Sequence, residues 1–338
     1  MAAPGSIPGS SRPSRPASMC WNWDPKQEQC SNSACLAPRI SLALPFPRIA
    51  AELESSMTDY QGKVAYITGA GSGIGRGLAL AYARRGAALA LVDVSKEGLA
   101  ESEHLALAAG APKVTTHVTD VSQWDQVERA STEALAAHGE IHFVCANAGV
   151  GFAGVPFTKA TPKEIQWVFG VNSLGAFYTV RSLLPSMLAH GKPGHIVCTA
   201  SVAALIAAPG WHIGFYAATK SAVSMMAQSM RDDIGDAPIG VSVVYPGLID
   251  TNIGSNAARL RPDGGVKSQG VSGLDTTQGL SPDRAAEIIL AGAQAGVRHI
   301  FTHPELSREE QERRHAEILE GIAASISINA SGRTETRA

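Results

Sequence analysis

Tyr216-Ala217-Ala218-Thr219-Lys220 sets a phenol and an ammonium four residues apart. That spacing puts both side chains on one face of a helix. A phenol with a pKa near 10 is a poor base at neutral pH. A nearby cation favours the phenolate, and lowering the pKa by about 3 units takes roughly 4 kcal/mol of differential interaction. Lys220 would supply such a charge. Fifteen residues before the tyrosine, Ser201 closes Thr199-Ala200-Ser201 and could hydrogen-bond a reacting oxygen. The trio is equipped to move a proton to or from an oxygen. A lone Tyr-x-x-x-Lys is ordinary surface decoration, so its weight depends on the elements around it.

Those elements follow one pattern from Lys63 onward. Short β-branched runs at 64–68, 89–93, 114–118, 141–146, 195–200, 240–245 and 299–302 predict buried strands. Helical periodicity fills the intervals near 74–86, 95–109, 122–138, 161–191, 214–235 and 281–295. Seven strands alternating with helices predict a single α/β domain: a Rossmann-type, doubly wound, seven-stranded parallel sheet with helices on both faces. Such sheets bind ligands beyond the carboxyl ends of their strands.

Chemistry-bearing residues fall at those ends. After the first strand, Thr68-Gly69-Ala70-Gly71-Ser72-Gly73-Ile74-Gly75 runs into a helix, where glycines let backbone approach a pyrophosphate at the helix N-terminus. Its Gly-x-x-x-Gly-x-Gly spacing differs from the common Gly-x-Gly-x-x-Gly fingerprint. Asp93 ends the second strand, 18 residues past Gly75, placed to accept hydrogen bonds from a ribose and to repel a 2′-phosphate. It could equally cap the next helix. The expected cofactor is therefore NAD, with NADP the lesser choice; Ser72 is not basic, and Arg76 is the one nearby cation. Asp120-Val121 and Asn147-Ala148-Gly149 end the third and fourth strands and would line the adenine and ribose groove.

Composition narrows the function classes. Lys plus Arg is 28 against 30 Asp plus Glu, a net charge of −2, so no basic excess attracts nucleic acid or an acidic membrane surface. The longest weakly polar run, 196–208, is 13 residues, short of the roughly 20 that a spanning helix needs. Residues 1–56 hold 8 of the 19 Pro, 3 of the 5 Cys and only 2 of the 34 Gly. They read as a disordered extension ahead of the 57–338 domain, with Met57 the expected initiator. Secretory and mitochondrial leaders fit this segment poorly, because its apolar run is short and late and its 5 basic residues face 4 acidic ones. A cytoplasmic protein is expected. Cys20, Cys30 and Cys35 lack the close pairing of zinc ligands, and Pro304 beside His303 argues against a metal site with His299. Cys145 and Cys198 read as core rather than redox-active.

Taken together, the motifs resemble the short-chain dehydrogenase/reductase family, in its compact single-domain branch, across 60–302. They include Thr68-Gly69 to Gly75, Asn147-Ala148-Gly149, Asn172 in Gly170-Val171-Asn172, Ser201, Tyr216, Lys220 and Pro246-Gly247 with Thr251. The resemblance implies Tyr216 as general acid/base, Ser201 polarising the substrate oxygen, and Lys220 binding the nicotinamide ribose while depressing the tyrosine pKa. An oxidised nicotinamide would add a second positive charge. Asn172 would hold a water in the proton relay, and Ile249 and Thr251 would contact the nicotinamide amide. Ala146 departs from the Asn of many members and removes one structural hydrogen bond.

The stretches Gly194-His195-Ile196-Val197, Gly240-Val241-Ser242-Val243 and Asn252-Ile253 through Arg259-Leu260-Arg261-Pro262 look similar to bacterial Cα-dehydrogenases, which oxidise benzylic alcohols of lignin-derived aryl ethers. A bulky aromatic or alicyclic secondary alcohol or ketone is therefore the expected substrate. Segment 251–281 would cover it, and Trp211, His212 and Phe215 could offer an aromatic wall or merely pack a loop. The alternatives are an NADP-linked ketoreductase and a catalytically inactive dinucleotide-binding sensor, which would not need the Asn-Ser-Tyr-Lys set. Sugar-nucleotide epimerases share Tyr-x-x-x-Lys but carry a larger C-terminal domain than the 36 residues after Thr302 allow. A helix at 305–324 would pack against the body or a neighbour, in a homodimer or homotetramer.

Overall fold

Runs rich in Val, Ile, Leu and Ala form seven strands in the computed structural model, which describes residues 60–206, 210–262 and 276–332. They are β1 (Val64–Thr68), β2 (Ala88–Asp93), β3 (Val114–Val118), β4 (Phe143–Ala146), β5 (Gly194–Thr199), β6 (Ile239–Tyr245) and β7 (His299–Phe301). The spatial order is β3-β2-β1-β4-β5-β6-β7, and every neighbouring pair is parallel. The order reverses between β1 and β4, so their crossovers leave on opposite sides and open a crevice at the carboxyl ends. The seven-stranded, doubly wound fold read from the sequence is the one observed.

Alternation along β1 divides the core. Ala65 and Ile67 enter one apolar layer with Leu89, Leu91, Leu78, Tyr82 and Ile289. Val64 and Tyr66 enter the other with Val144, Ile196, Leu183 and Val223. The first layer holds α1 (Gly73–Ala83), α2 (Lys96–Ala108) and α8 (Pro282–Gln294) against the sheet. The second holds α3 (Trp124–His138), α5 (Gly175–His190) and α6 (Gly214–Ile234).

Three differences from the expected elements bear on the site. The single helix expected at 161–191 is α4 (Pro162–Phe169), a π turn at Gly170–Leu174, then α5. One extra residue per turn hides inside a 3.6-residue pattern, and π turns gather at functional sites. Second, the segment after Thr251 contains α7 (Ile253–Leu260), a helix not anticipated. The rest of the expected cover at 263–275, like the extension at 1–56, lies outside the described residues. Third, the C-terminal helix α9 spans Pro304–Gly332, longer than 305–324. Gln311 and Arg314 tie its root to the Leu205 carbonyl at 3.1 and 2.6 Å, while Ile318, Leu319, Ile322, Ile326 and Ile328 beyond are each half or more exposed. Among the described residues, no helix is long and apolar enough to cross a membrane.

Candidate active site

The glycine-rich turn after β1 is built by backbone constraint. Gly69 and Gly73 have φ of +69° and +52°, a region that L side chains rarely adopt. A Cβ on Gly75 would stand 2.0 Å from the Gly69 carbonyl oxygen, and one on Gly69 would stand 2.9 Å from the Ala148 Cα. Ser72 is the N-cap of α1, yet its side chain makes no cap hydrogen bond and no acidic residue enters the first turn. The first N–H groups of the helix thus have no local anion, and Ile74 packs behind them on the core. This cradle fits a pyrophosphate.

Asp93 stands beside it. Its Oδ2 accepts from Gly71 N–H and its Oδ1 from Ser95 N–H, both at 2.9 Å. Each oxygen keeps a lone pair for a ribose hydroxyl. Helix α2 is capped by Ser95, whose side chain accepts from Gly98 N–H, so Asp93 is not its N-cap. Arg76, the cation that left NADP open, is spent elsewhere: it donates to Ser102 Oγ at 2.9 Å and pairs with Glu101 at 2.7 Å. Asp120 folds an Asx turn on Ser122, and Val121 is buried where it meets Gly175 at the start of α5.

Asn147 turns out to be a strut. Its Nδ2 donates to the Thr68 carbonyl at 3.0 Å, and its Oδ1 accepts from Thr199 Oγ1 at 3.2 Å, tying the ends of β1 and β5 together. The Thr68 hydroxyl in turn accepts from the backbone N–H groups of Asn147 and Ala148. Both threonines stand in motifs quoted from the sequence, which assigned neither a role. Their position at strand ends was the available signal.

Ser201 follows β5, and its Oγ accepts from Ala203 N–H at 3.1 Å. The Ser201 hydroxyl and the Tyr216 phenol share a hydrogen bond. Lys220, on the next turn of α6, is 3% exposed and donates to the Thr199 carbonyl at 2.9 Å. Gly149 leaves the space in which these groups meet: a Cβ there would stand 3.1 Å from Lys220 Nζ and 3.3 Å from Asn172 Oδ1. Asn172 lies in the π turn, 1% exposed. Its Oδ1 accepts from Val150 N–H at 2.7 Å, and its Nδ2 donates to Val150 O and Thr219 Oγ1 at 3.0 and 3.1 Å. Only one Oδ1 lone pair is left for a water.

The chain's own groups do not by themselves lower the tyrosine pKa. Burial pushes the Tyr216 phenol above its ordinary value, and the Ser201 hydrogen bond offsets only part of this. Lys220 is aimed at Thr199, its Nζ 6.0 Å from the tyrosine ring centroid. Burial pulls the ammonium itself down to about 8.

The residues expected at the nicotinamide end, Pro246, Gly247, Ile249 and Thr251, follow β6. Pro246 O accepts from Val202 N–H at 3.1 Å, and Gly247 N–H donates to Thr302 Oγ1 at 2.9 Å. Ile249 is buried and bridges Leu280, and the Thr251 methyl lies 3.0 Å from where Gly73 would carry a Cβ. His299 bonds Tyr245, and His303 bonds Thr302.

Around the tyrosine, Val150, Phe152, Val155 and Val168 form a third apolar cluster, joined by Trp167, Phe215, Tyr216 and Leu260. Phe215 stacks on Phe157 at 4.7 Å and meets Phe152 edge-on at 6.2 Å. Phe215 thus packs with Phe152 and Phe157, partners that the sequence did not point to. Trp211 is 45% exposed and takes no part in this cluster. Also unanticipated is Glu164, fully buried, whose Oε1 accepts from Arg261 Nε at 2.6 Å. Burial alone would raise the Glu164 carboxyl, but hydrogen bonds from Thr161 and Arg261 hold it below its ordinary value. Thr161-Pro162-Lys163-Glu164 is a capping-box signature that could have drawn attention to it.

The chain is similar to known proteins in sequence and fold. The family described as short chain dehydrogenase matches residues 63–261. A Cα-dehydrogenase from Sphingobium sp. is 33% identical over 282 residues, covering 79% of this chain and 88% of the relative. The 1-deoxy-11-beta-hydroxypentalenate dehydrogenase of Streptomyces avermitilis is 34% identical over 244 residues, covering 72% of this chain and 85% of the relative. Among solved structures, a short chain dehydrogenase/reductase from Burkholderia phymatum in complex with NAD superposes with a TM-score of 0.70 at 33% identity, covering 78% of this chain and 96% of its own. An alcohol dehydrogenase from Thermococcus sibiricus complexed with 5-hydroxy-NADP gives a TM-score of 0.59 at 28% identity, covering 71% and 95%.

Proposed function

The chain belongs to the short-chain dehydrogenase/reductase family and is an NAD(P)-dependent oxidoreductase; on that premise we propose that it transfers hydride between NAD and a bulky aromatic or alicyclic secondary alcohol or ketone. One observation carries this reading: Ser201, Tyr216 and Lys220 converge at the same strand ends as an uncapped helix N-terminus and an Asp93 whose oxygens each accept one backbone N–H. NAD, when bound, supplies the hydride acceptor or donor. Its pyrophosphate would rest on the turn from Gly69 to Gly75, with Asp93 holding the adenosine ribose. The free Asp93 lone pairs and the engaged Arg76 support NAD over NADP. Asp120, Val121, Asn147, Ala148 and Gly149 would shape the groove, and Pro246, Gly247, Ile249 and Thr251 its nicotinamide end.

In oxidation, the Tyr216 oxygen takes the alcohol proton while Ser201 hydrogen-bonds the same substrate oxygen; in reduction the proton returns. Lys220 would hold the nicotinamide ribose and would favour the phenolate once a second positive charge has entered the site. The spare Asn172 lone pair holds the relay water. The wall of Phe152, Phe157 and Phe215, and the substrates named for the two dehydrogenases, support a bulky substrate.

A spectrophotometric assay of NADH formation over a panel of secondary alcohols, with NAD and NADP side by side, tests the reading. Turnover of arylalkanols and cycloalkanols with NAD is expected; turnover confined to short aliphatic alcohols or sugars would refute the substrate assignment. The chain is further proposed to be cytoplasmic and to form a homodimer or homotetramer; the assembly is supported by the exposed apolar residues of α9 and tested by native mass spectrometry.

A further inference from the structure

Helix α7 cannot hold itself in place. It has eight residues, none of them buried, and its N-cap Asn252 makes no side-chain cap hydrogen bond. Isolated helices shorter than about 12–15 residues are marginal in water. Yet α7 runs along the substrate side of the site. Near its start, Thr251 faces Gly73 of the glycine-rich turn; Ile253 and Ala257 lie 3.6 and 3.8 Å from the Cβ position of Gly151. At its end, Leu260 joins the apolar cluster of Phe152, Phe215 and Tyr216.

The next residue supplies the anchor. Arg261 crosses 97 positions of sequence to Glu164, donating from Nε to Oε1 at 2.6 Å. Its Nη2 lies against the same oxygen without an aligned hydrogen bond. The two side chains are 18% and 0% exposed, so this is not a solvated surface pair of small effect. The carboxylate is preset: Oε2 accepts from Thr161 N–H at 2.8 Å and Thr161 Oγ1 at 2.9 Å, leaving Oε1 to Arg261. The guanidinium also covers the ring of Phe152, 5.2 Å from its centroid. Phe152 meets Phe215, the residue before the proposed acid/base.

We propose that Arg261 and Glu164 are a positioning pair that fixes α7 and the aromatic wall at the substrate end of the site, and so sets the bulk of the alcohol or ketone accepted. The proposal rests on the function argued above. Neither residue touches the reacting atoms; both act through Phe152, Leu260 and α7.

Glu164→Gln and Arg261→Met, singly and together, with Arg261→Lys as the conservative variant, provide the test. Gln serves at the third position of a capping box, so Glu164→Gln keeps α4. Amide hydrogen exchange of 253–261 is measured first, because it needs no turnover. Both single variants are expected to lose protection there while β1 and α5 keep theirs. Calorimetric NAD affinity is expected to stay within about twofold. The KM for 1-phenylethanol should rise about tenfold with kcat little changed, while the KM for 2-propanol moves less than about twofold. Arg261→Lys should restore part of the loss, since it keeps the charge but not the fork, and the double variant should be no worse than either single. Unchanged exchange at 253–261 would overturn the proposal, as would equal KM rises for both alcohols. If the intact enzyme oxidises neither alcohol, the function reading fails, whereas the exchange result still decides whether the pair holds α7.

Discussion

The two ends of the crevice are held by different means. At the nucleotide end the constraints are local and in the backbone: positive φ at Gly69 and Gly73, a Gly75 with no room for a Cβ, and an Asp93 bonded to Gly71 N–H. At the substrate end the constraints are side chains brought together from distant segments, including Phe152 on Phe215 and Glu164 on Arg261. The first arrangement makes a generic cradle that tolerates little change. The second can be altered to suit a substrate while the cradle stays intact.

Four substitutions would break or sharpen that contrast. Gly75→Ala should have the largest effect, because its methyl would meet the Gly69 carbonyl. NAD affinity should fall about a hundredfold or more, with a stability cost of about 1–3 kcal/mol for overpacking; calorimetry and thermal unfolding measure both. Asp93→Asn removes the charge but keeps the shape, and should lower the NAD-to-NADP ratio of kcat/KM by about thirtyfold. Phe215→Ala should raise the KM for aryl alcohols about tenfold and leave NAD affinity unchanged, by steady-state kinetics. Arg76→Met should be the mildest: about 1–2 kcal/mol of stability lost with its hydrogen bonds, and no change in cofactor preference. A change of preference there would mean that Arg76 faces the nucleotide.

The same contrast explains what the sequence could convey. Glycines at a strand–helix turn, an acid at the end of β2, and Tyr216 with Lys220 four apart follow from local rules, so these features and the seven parallel strands were readable in advance. The strut role of Asn147 was not, because it requires β1 and β5 to be brought within reach of one side chain. The π turn was hidden by a continuous helical pattern through 161–191. Glu164 showed only its capping box; its partner lies 97 residues on, behind a helix with no buried face to betray it. Spacing shows that Lys220 is near Tyr216, but not that it is buried and points to Thr199.

The central claim is that Tyr216 moves the proton while the nucleotide cradle works independently of it. The raised Tyr216 pKa implies that alcohol oxidation by the intact enzyme accelerates as pH rises from neutral, because it needs the phenolate. Ketone reduction should stay nearly level over the same interval, because a phenol held above its ordinary value remains protonated there. The most direct measurement is NADH formation by Tyr216→Phe, with its NAD affinity determined alongside by calorimetry. The predicted result is turnover reduced about a thousandfold at unchanged NAD affinity. Turnover close to that of the intact enzyme, or NAD affinity lost together with activity, would contradict it.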